Sequence, residues 1–351
     1  FAIASILIAI APTAEVVIVL RGVQGVAGAL LVPSSLALIM STFRGAAQAR
    51  AIGQWTAWTS AAFIVGPVLG GLFVDFFSWR LVFGINVLPV AVTLWMMVVL
   101  GHKDERTKET RIDYLGAVLG IIGLGGPVFA LIEQGNYGWD SPAVFLPLVV
   151  GLASLVAFVL WQRRAPQPML PLELFRQRNF SMGNIATIFI YGALAVGGFI
   201  VVVYLQEVAG YTATLAGLAF LPASIGIILL SSYFGRLSGT YGPRLFMTLG
   251  PLLGGIGYIT FLTMQESVNY FTQVLPGVAL FSVGLSMTVA PLTSAILGAI
   301  SPRQAGIGSA VNNAISRIAG LITVALVGVI VVGPLAVENF HHVIILTAAL
   351  L

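Results

Sequence analysis

The chain has no cysteine and very little charge: of its 351 residues, 8% are Asp, Glu, Lys or Arg and 58% are hydrophobic. Without cysteine there are no disulfides and no thiolate metal sites. Histidine is nearly as scarce. His341 and His342 are neighbours and His102 stands in a charged stretch, so no metal-ligand spacing appears. A soluble domain carries about 25% charged and about 45–50% apolar residues, and so few charges could not cover this much apolar surface in water. The carboxylates sit at the ends of apolar runs or between them. No paired-carboxylate, Ser-His-Asp or Walker A arrangement occurs, so no residues support an enzyme, ATP hydrolysis or a bound cofactor. The net charge of +4 resides in the connecting stretches, where it reads as a membrane topology signal rather than an affinity for nucleic acid.

What the chain does have is apolar length and glycine. Its 40 glycines suit helices that pack closely in lipid. Breaking the sequence at charged and turn-rich stretches leaves twelve apolar segments: 1–13, 15–41, 50–74, 79–100, 112–134, 142–162, 181–206, 212–233, 243–265, 270–299, 304–333 and 340–351. A spanning helix needs about 20 residues, so the first and last segments are too short and read as severed ends. Phe1 opens inside one apolar run and Leu351 closes inside another, and the chain is expected to be a fragment of a longer protein.

Lys and Arg set the orientation. With alternating sides, Arg44, Arg50, Lys103, Arg106, Lys108, Arg111, Arg163, Arg164, Arg176, Arg178, Arg236, Arg244 and Arg303 share one side, the other holds Arg80, and Arg21 and Arg317 fall within segments. One misread segment would destroy that split. It therefore supports the segment pattern and places the basic stretches in the cytoplasm, with Glu133, Asp140, Glu207, Glu266 and Glu338 outside. Two long cytoplasmic linkers, 101–111 and 163–179, divide the chain into a first bundle over 1–100, a linker plus two-helix insert over 101–179, and a second bundle over 180–351.

Three segments carry unusual chemistry. In the second, Arg21, Gln24, Gly25, Gly28 and Ser35 share one helical face. Arg21 lies about 9 Å inside the outer end, where a guanidinium costs ~2.5–3.5 kcal/mol to insert. It either faces a wet interior with a partner or snorkels to the headgroups. The third segment contains Gly66, Pro67, Gly70 and Gly71. Ala62, Gly66 and Gly70 form a small-xxx-small row for close helix approach, and Pro67 bends the helix. In the eleventh, Ser309, Asn312, Asn313, Ser316 and Arg317 fill an arc of about 140°. Arg317 is about 20 Å from the cytoplasmic end. Such a stripe cannot face lipid and must line a cavity or pathway, or a helix interface. Asp113 and Glu15 stand at segment edges, where interfacial solvation accounts for them.

Taken together, R-G-V-Q-G (21–25), G-P-V-L-G-G (66–71), S-W-R-L-V-F-G-I-N-V-L-P (78–89), G-Y-T-A-T-L-A-G-L-A-F-L-P (210–222) and the Asn313–Arg317 stretch resemble, in order, signatures of the fourteen-helix drug/proton antiporter branch of the major facilitator superfamily. The resemblance covers essentially the whole chain and aligns its first segment with the family's third helix. It implies an all-α polytopic membrane protein with the major facilitator fold: two pseudo-symmetric helical bundles, a two-helix central insert and a mid-membrane cavity.

By resemblance, proton flow would drive export of a lipophilic or cationic organic compound by alternating access across the bacterial cytoplasmic membrane. Arg21 and Gln24 would serve the proton relay, with the acidic partner on a helix that precedes this chain. Gly66, Pro67, Gly70 and Gly71 would form the antiporter motif. Asn312, Asn313 and Arg317 are cavity candidates, with Tyr204 and Gln206 at the outer mouth. The cytoplasmic loop motif is represented by Gly235, Arg236, Gly242 and Arg244, with Gly239 where the family pattern has Asp. The implied partners are lipid, protons and a small organic substrate. An envelope adaptor is not legible in the residues. A nutrient importer or uniporter of the same fold, and a non-transporting receptor or scaffold, remain open.

Overall fold

A computed structural model describes residues 1–42, 65–66, 68–100, 113–301, 304–331 and 335–351. Pro67, Ala62, Arg44, Arg50, Arg303 and the linker 101–111 lie outside the described residues. The helices are α1 (Ala2–Ala9), α2 (Ala14–Thr42), α3 (68–76), α4 (Arg80–Gly84), α5 (Val87–Leu100), α6 (Tyr114–Tyr137), α7 (Pro142–Gln162), α8 (Arg178–Glu207), α9 (Ala213–Ala219), α10 (Leu221–Tyr241), α11 (Pro243–Thr260), α12 (Leu275–Leu297), α13 (Ala305–Ile330) and α14 (Val337–Leu350). Among the described residues there is no strand, and nine helical stretches are long and apolar enough to cross a membrane. Their outer faces are apolar: Ile18 is 70% exposed, Leu88 71% and Val98 80%. That surface would be untenable in water and suits lipid.

The helices stop and start where the side chains dictate. Asp113 caps α6 by accepting from the Gly116 amide at 2.8 Å, and Ser141 caps α7 ahead of Pro142. Two segments that read as continuous are broken. The 79–100 segment pauses at residues 85–86, and 212–233 is interrupted at Phe220. Each break precedes a proline, Pro89 and Pro222. A proline ring clashes with the carbonyl four residues back and donates no hydrogen bond, so the preceding turn yields.

One compact unit holds α1 to α5 together with α9. The other holds α6 to α8 and, from Pro222 onward, α10 to α14. In the first, α1 packs against α2, α4 and α5. In the second, α8 is the central helix, flanked by α12, α13 and α14. The pair α6–α7 stands between the two linkers in sequence. In space it belongs to the second unit, with α6 resting on α13.

Glycine makes the closest approaches. A Cβ on Gly126 would sit 2.2 Å from the Pro147 carbonyl, and one on Gly284 would sit 2.5 Å from the Gly250 carbonyl. The helix pairs α6–α7 and α11–α12 therefore pack backbone to backbone, the mode by which lipid-embedded helices gain contact without a hydrophobic driving force.

The linker 163–179 is anchored rather than loose. Residues Leu172–Arg176 form a 3-10 turn, and Leu174 is buried with Phe180, Leu292, Ile296 and Val311. Asp113 fastens the other end of this region, accepting from Trp161 Nε1 and Gln162 Nε2, both at 2.8 Å, while Gln162 Oε1 accepts from the Leu170 amide at 3.1 Å. Burial pushes the Asp113 carboxyl up, but the hydrogen bonds from Trp161, Gly116 and Gln162 outweigh it and hold its pKa below the usual value. Asp113 thus ties α6, α7 and the linker together, where interfacial solvation alone had been expected.

Candidate functional site

Arg21 and Gln24 are one turn apart on α2, so their side chains meet on one face. Arg21 Nη1 donates to Gln24 Oε1 at 2.8 Å, and Gln24 Nε2 donates onward to Ser5 Oγ on α1 at 2.7 Å. Asn86, from the break between α4 and α5, reaches the same hydroxyl at 3.5 Å. Ser5 and Gln24 are buried, whereas Arg21 is exposed and holds its guanidinium 5.6 Å from the centre of the Phe83 ring. Among the described residues, then, Arg21 is positioned by an amide and an aromatic face. The amide is itself fixed by Ser5, so the guanidinium cannot swing freely. Ser5, Phe83 and Asn86 were not singled out from the sequence, although the Phe83–Asn86 stretch lies inside the 78–89 signature. Gly25 and Gly28 share the Arg21 face, and a Cβ on Gly28 would meet the Phe1 ring at 3.8 Å.

On α3, Gly71 touches backbone. A Cβ there would lie 2.6 Å from Thr214 Cα. Among the described residues, a Cβ on Gly66 or Gly70 would have no such neighbour within 4 Å. One turn beyond Gly71, Asp75 accepts from the Ala213 amide at 3.1 Å and the Thr214 amide at 2.7 Å. Hydrogen bonds from Thr214, then from Thr212 and Ala213, hold the Asp75 carboxyl below its usual range. Segment 211–221 follows α8 in sequence, yet it packs with α1 to α5, and this contact is the reason. Asp75 was not among the sequence candidates. An acid four residues after a small-residue row gives no signal of its distant partner.

The polar stripe of α13 divides. Asn312 turns toward α8, where its Nδ2 donates to Asn184 Oδ1 at 3.1 Å and Thr187 Oγ1 at 2.9 Å. Asn184 and Thr187 are buried, and each donates to a carbonyl of its own helix, Phe180 and Gly183 respectively. Asn313 and Arg317 are exposed and paired, Nε to Oδ1 at 3.1 Å. The structure therefore brings Asn312 together with two residues the sequence reading missed, and sets Asn313 with Arg317 on another face.

Tyr204 is fully buried and stacks on Phe340 with ring centroids 4.0 Å apart, and its hydroxyl has no hydrogen-bond partner among the described residues. Gln206 is exposed and donates to the Val202 carbonyl of its own helix. In the stretch 235–244, Gly242 has φ 84° and caps α11, a conformation that suits glycine alone. Arg236 donates to the Ser232 carbonyl, Arg244 is exposed, and a Cβ on Gly235 would meet Ala290 at 3.6 Å. Among the described residues, no three His, Asp or Glu side chains converge in a way that could hold a metal.

Long apolar helices with polar groups fixed between them define a multi-pass helical membrane protein. The chain belongs to the Major Facilitator Superfamily, whose family model matches residues 1–324. It is 32% identical over 333 residues to the multidrug resistance protein Stp of Mycobacterium tuberculosis, covering 93% of this chain and 61% of that protein. It is 31% identical over 331 residues to the methylenomycin A resistance protein of Streptomyces coelicolor, covering 94% and 69%. It is 32% identical over 352 residues to the puromycin resistance protein pur8 of Streptomyces alboniger, covering 97% and 69%. The chain thus spans less than two thirds of the length of the first of these relatives.

Proposed function

We propose that this chain is the greater part of a proton-coupled antiporter of the fourteen-helix branch, which exports a lipophilic or cationic compound across the bacterial cytoplasmic membrane by alternating access. The observation that carries the proposal is the chain of contacts Arg21–Gln24–Ser5, with Phe83 and Asn86 beside it. A guanidinium within an apolar span is costly and is kept for ion or substrate pathways. Here its partner amide is buried and pre-oriented. The relatives named for resistance to multiple drugs, methylenomycin A and puromycin supply the substrate class. The two linkers that bracket α6 and α7 favour the fourteen-helix branch.

In this reading, Arg21 stabilises a negative charge on a proton-binding group in one half of the cycle. Asn312, Asn313 and Arg317 face or support the substrate route, and Gly71 with Asp75 holds the outer end of α3 against 211–221. The test is accumulation of a fluorescent lipophilic cation in an efflux-deficient bacterium expressing the parent gene. Low accumulation should rise to the empty-vector level with a protonophore and with Arg21→Ala. Accumulation equal to empty vector without either treatment would overturn the proposal and direct attention to import.

A further inference from the structure

The second compact unit contains a cleft that none of the polar clusters above touches. It has a volume of about 400 Å³, lies between α6, α8 and α13, and is walled by Ile132, Phe199, Val203, Leu321 and Gly328 with Glu207 at one end. That volume falls within the range of small-molecule sites, about 300–1,000 Å³. Among its described lining residues Glu207 is the sole charged one and the rest are apolar. Two features keep the cleft open. Gln134 on α6 donates to the Gly328 carbonyl at 3.3 Å, which holds the end of α6 to α13. Gly328 itself contributes no side chain, and a Cβ there would meet nothing within 4 Å. Phe199 and Leu321 leave 47% and 48% of their surface uncovered beside it.

The charge at the end is of one sign. Glu207 is the last residue of α8 and is exposed. A helix C-terminus carries partial negative charge, which adds to a carboxylate rather than offsetting it. Apolar walls alone would admit any acyl chain. A phosphate headgroup at this end would meet a like charge, whereas a cation would gain from the carboxylate.

We infer that this cleft binds a lipophilic monovalent cation, with its apolar body between Phe199, Leu321 and Gly328 and its charge beside Glu207. The site is separate from Arg21 and from the Asn312 cluster, and binding is read without transport, so its failure and that of the antiport reading are distinguishable. Because the chain has no cysteine, Gly328→Cys introduces a single thiol that reports on this cleft.

The experiment measures maleimide labelling of that thiol in the protein reconstituted in lipid nanodiscs, with tetraphenylphosphonium as the probe. Labelling should be slowed by the cation and not by tetraphenylborate, an anion of the same shape. Adding Glu207→Gln should weaken the protection by about tenfold in concentration while leaving the rate without ligand unchanged. Protection by both ions alike, or protection indifferent to Glu207→Gln, would overturn the inference in favour of an unselective apolar groove. Protection that vanishes when phosphatidylethanolamine replaces phosphatidylglycerol would assign the cleft to a lipid ammonium. A thiol that does not label at all would mean the cleft is closed and would also overturn the inference. As an independent check, Gly328→Leu, whose Cβ would meet no described residue within 4 Å, should remove the component of tetraphenylphosphonium binding that depends on Glu207.

Discussion

Asn312 is the donor in a site built from acceptors. Asn184 Nδ2 and Thr187 Oγ1 donate to the carbonyls of Phe180 and Gly183, while Asn184 Oδ1 and Thr187 Oγ1 each present a lone pair to α13. This determines which way the Asn312 amide faces. It also makes a nearly isosteric change severe. Asn312→Asp removes both donors and sets a carboxylate against two acceptors, whereas Asn312→Ala merely leaves them unmet. We expect Asn312→Ala to cost about 1–2 kcal/mol and Asn312→Asp more, because interhelical hydrogen bonds in membranes average ~0.6 kcal/mol and stranded buried acceptors add to that. Thermal unfolding in detergent, followed by size-exclusion chromatography, measures the order. Equal stability of the two variants would show that the amide is not the donor. Arg21 is the opposite case. It is exposed and its contacts position it without consuming all of its five N–H groups, so its replacement should be felt in activity more than in folding.

Among the elements, α3 shows how a glycine row finds its use. The row Ala62, Gly66, Gly70 promised a close helix approach. Ala62 lies outside the described residues, a Cβ on Gly66 or Gly70 would meet none of the described residues within 4 Å, and the tight contact falls to the next residue, Gly71. A methyl group there would strike backbone, which cannot rotate away as a side chain would. Gly71→Ala is therefore expected to displace 211–221 and break the Asp75 bonds to Ala213 and Thr214. Hydrogen exchange of the 211–221 peptide should quicken in Gly71→Ala and in Asp75→Ala alike. Unchanged exchange in both would refute the contact. The other elements follow simpler rules. Prolines 89 and 222 break segments that hydropathy alone runs together, and the linker 163–179 gains a buried turn because Leu174 and Phe175 are apolar within a basic stretch.

At the scale of the molecule, the asymmetry of Lys and Arg predicts an orientation in the bilayer. Because the chain has no cysteine, single thiols test it directly. Asp140→Cys, before α7, should label with an impermeant maleimide in intact cells, and Met169→Cys, in the linker, only after permeabilisation. Labelling of both from one side would mean that α7 does not cross. The membrane class, the helical segments and the all-helical fold class were legible in the sequence, because hydropathy and charge act locally: each helix meets lipid on its own account. The individual placements of Arg21, Gln24 and Asn312 on polar faces were legible for the same reason. The partners were not. Ser5 with Gln24, Asp75 with Thr214, and Asn312 with Asn184 join residues 19, 139 and 128 positions apart, and no periodicity encodes such a pairing. Likewise, only the tertiary structure decided that α6 rests on α13 and that 211–221 packs with α1 to α5. Those outcomes depend on which backbone surfaces come close enough for glycine to matter, a property of two helices together and of neither alone.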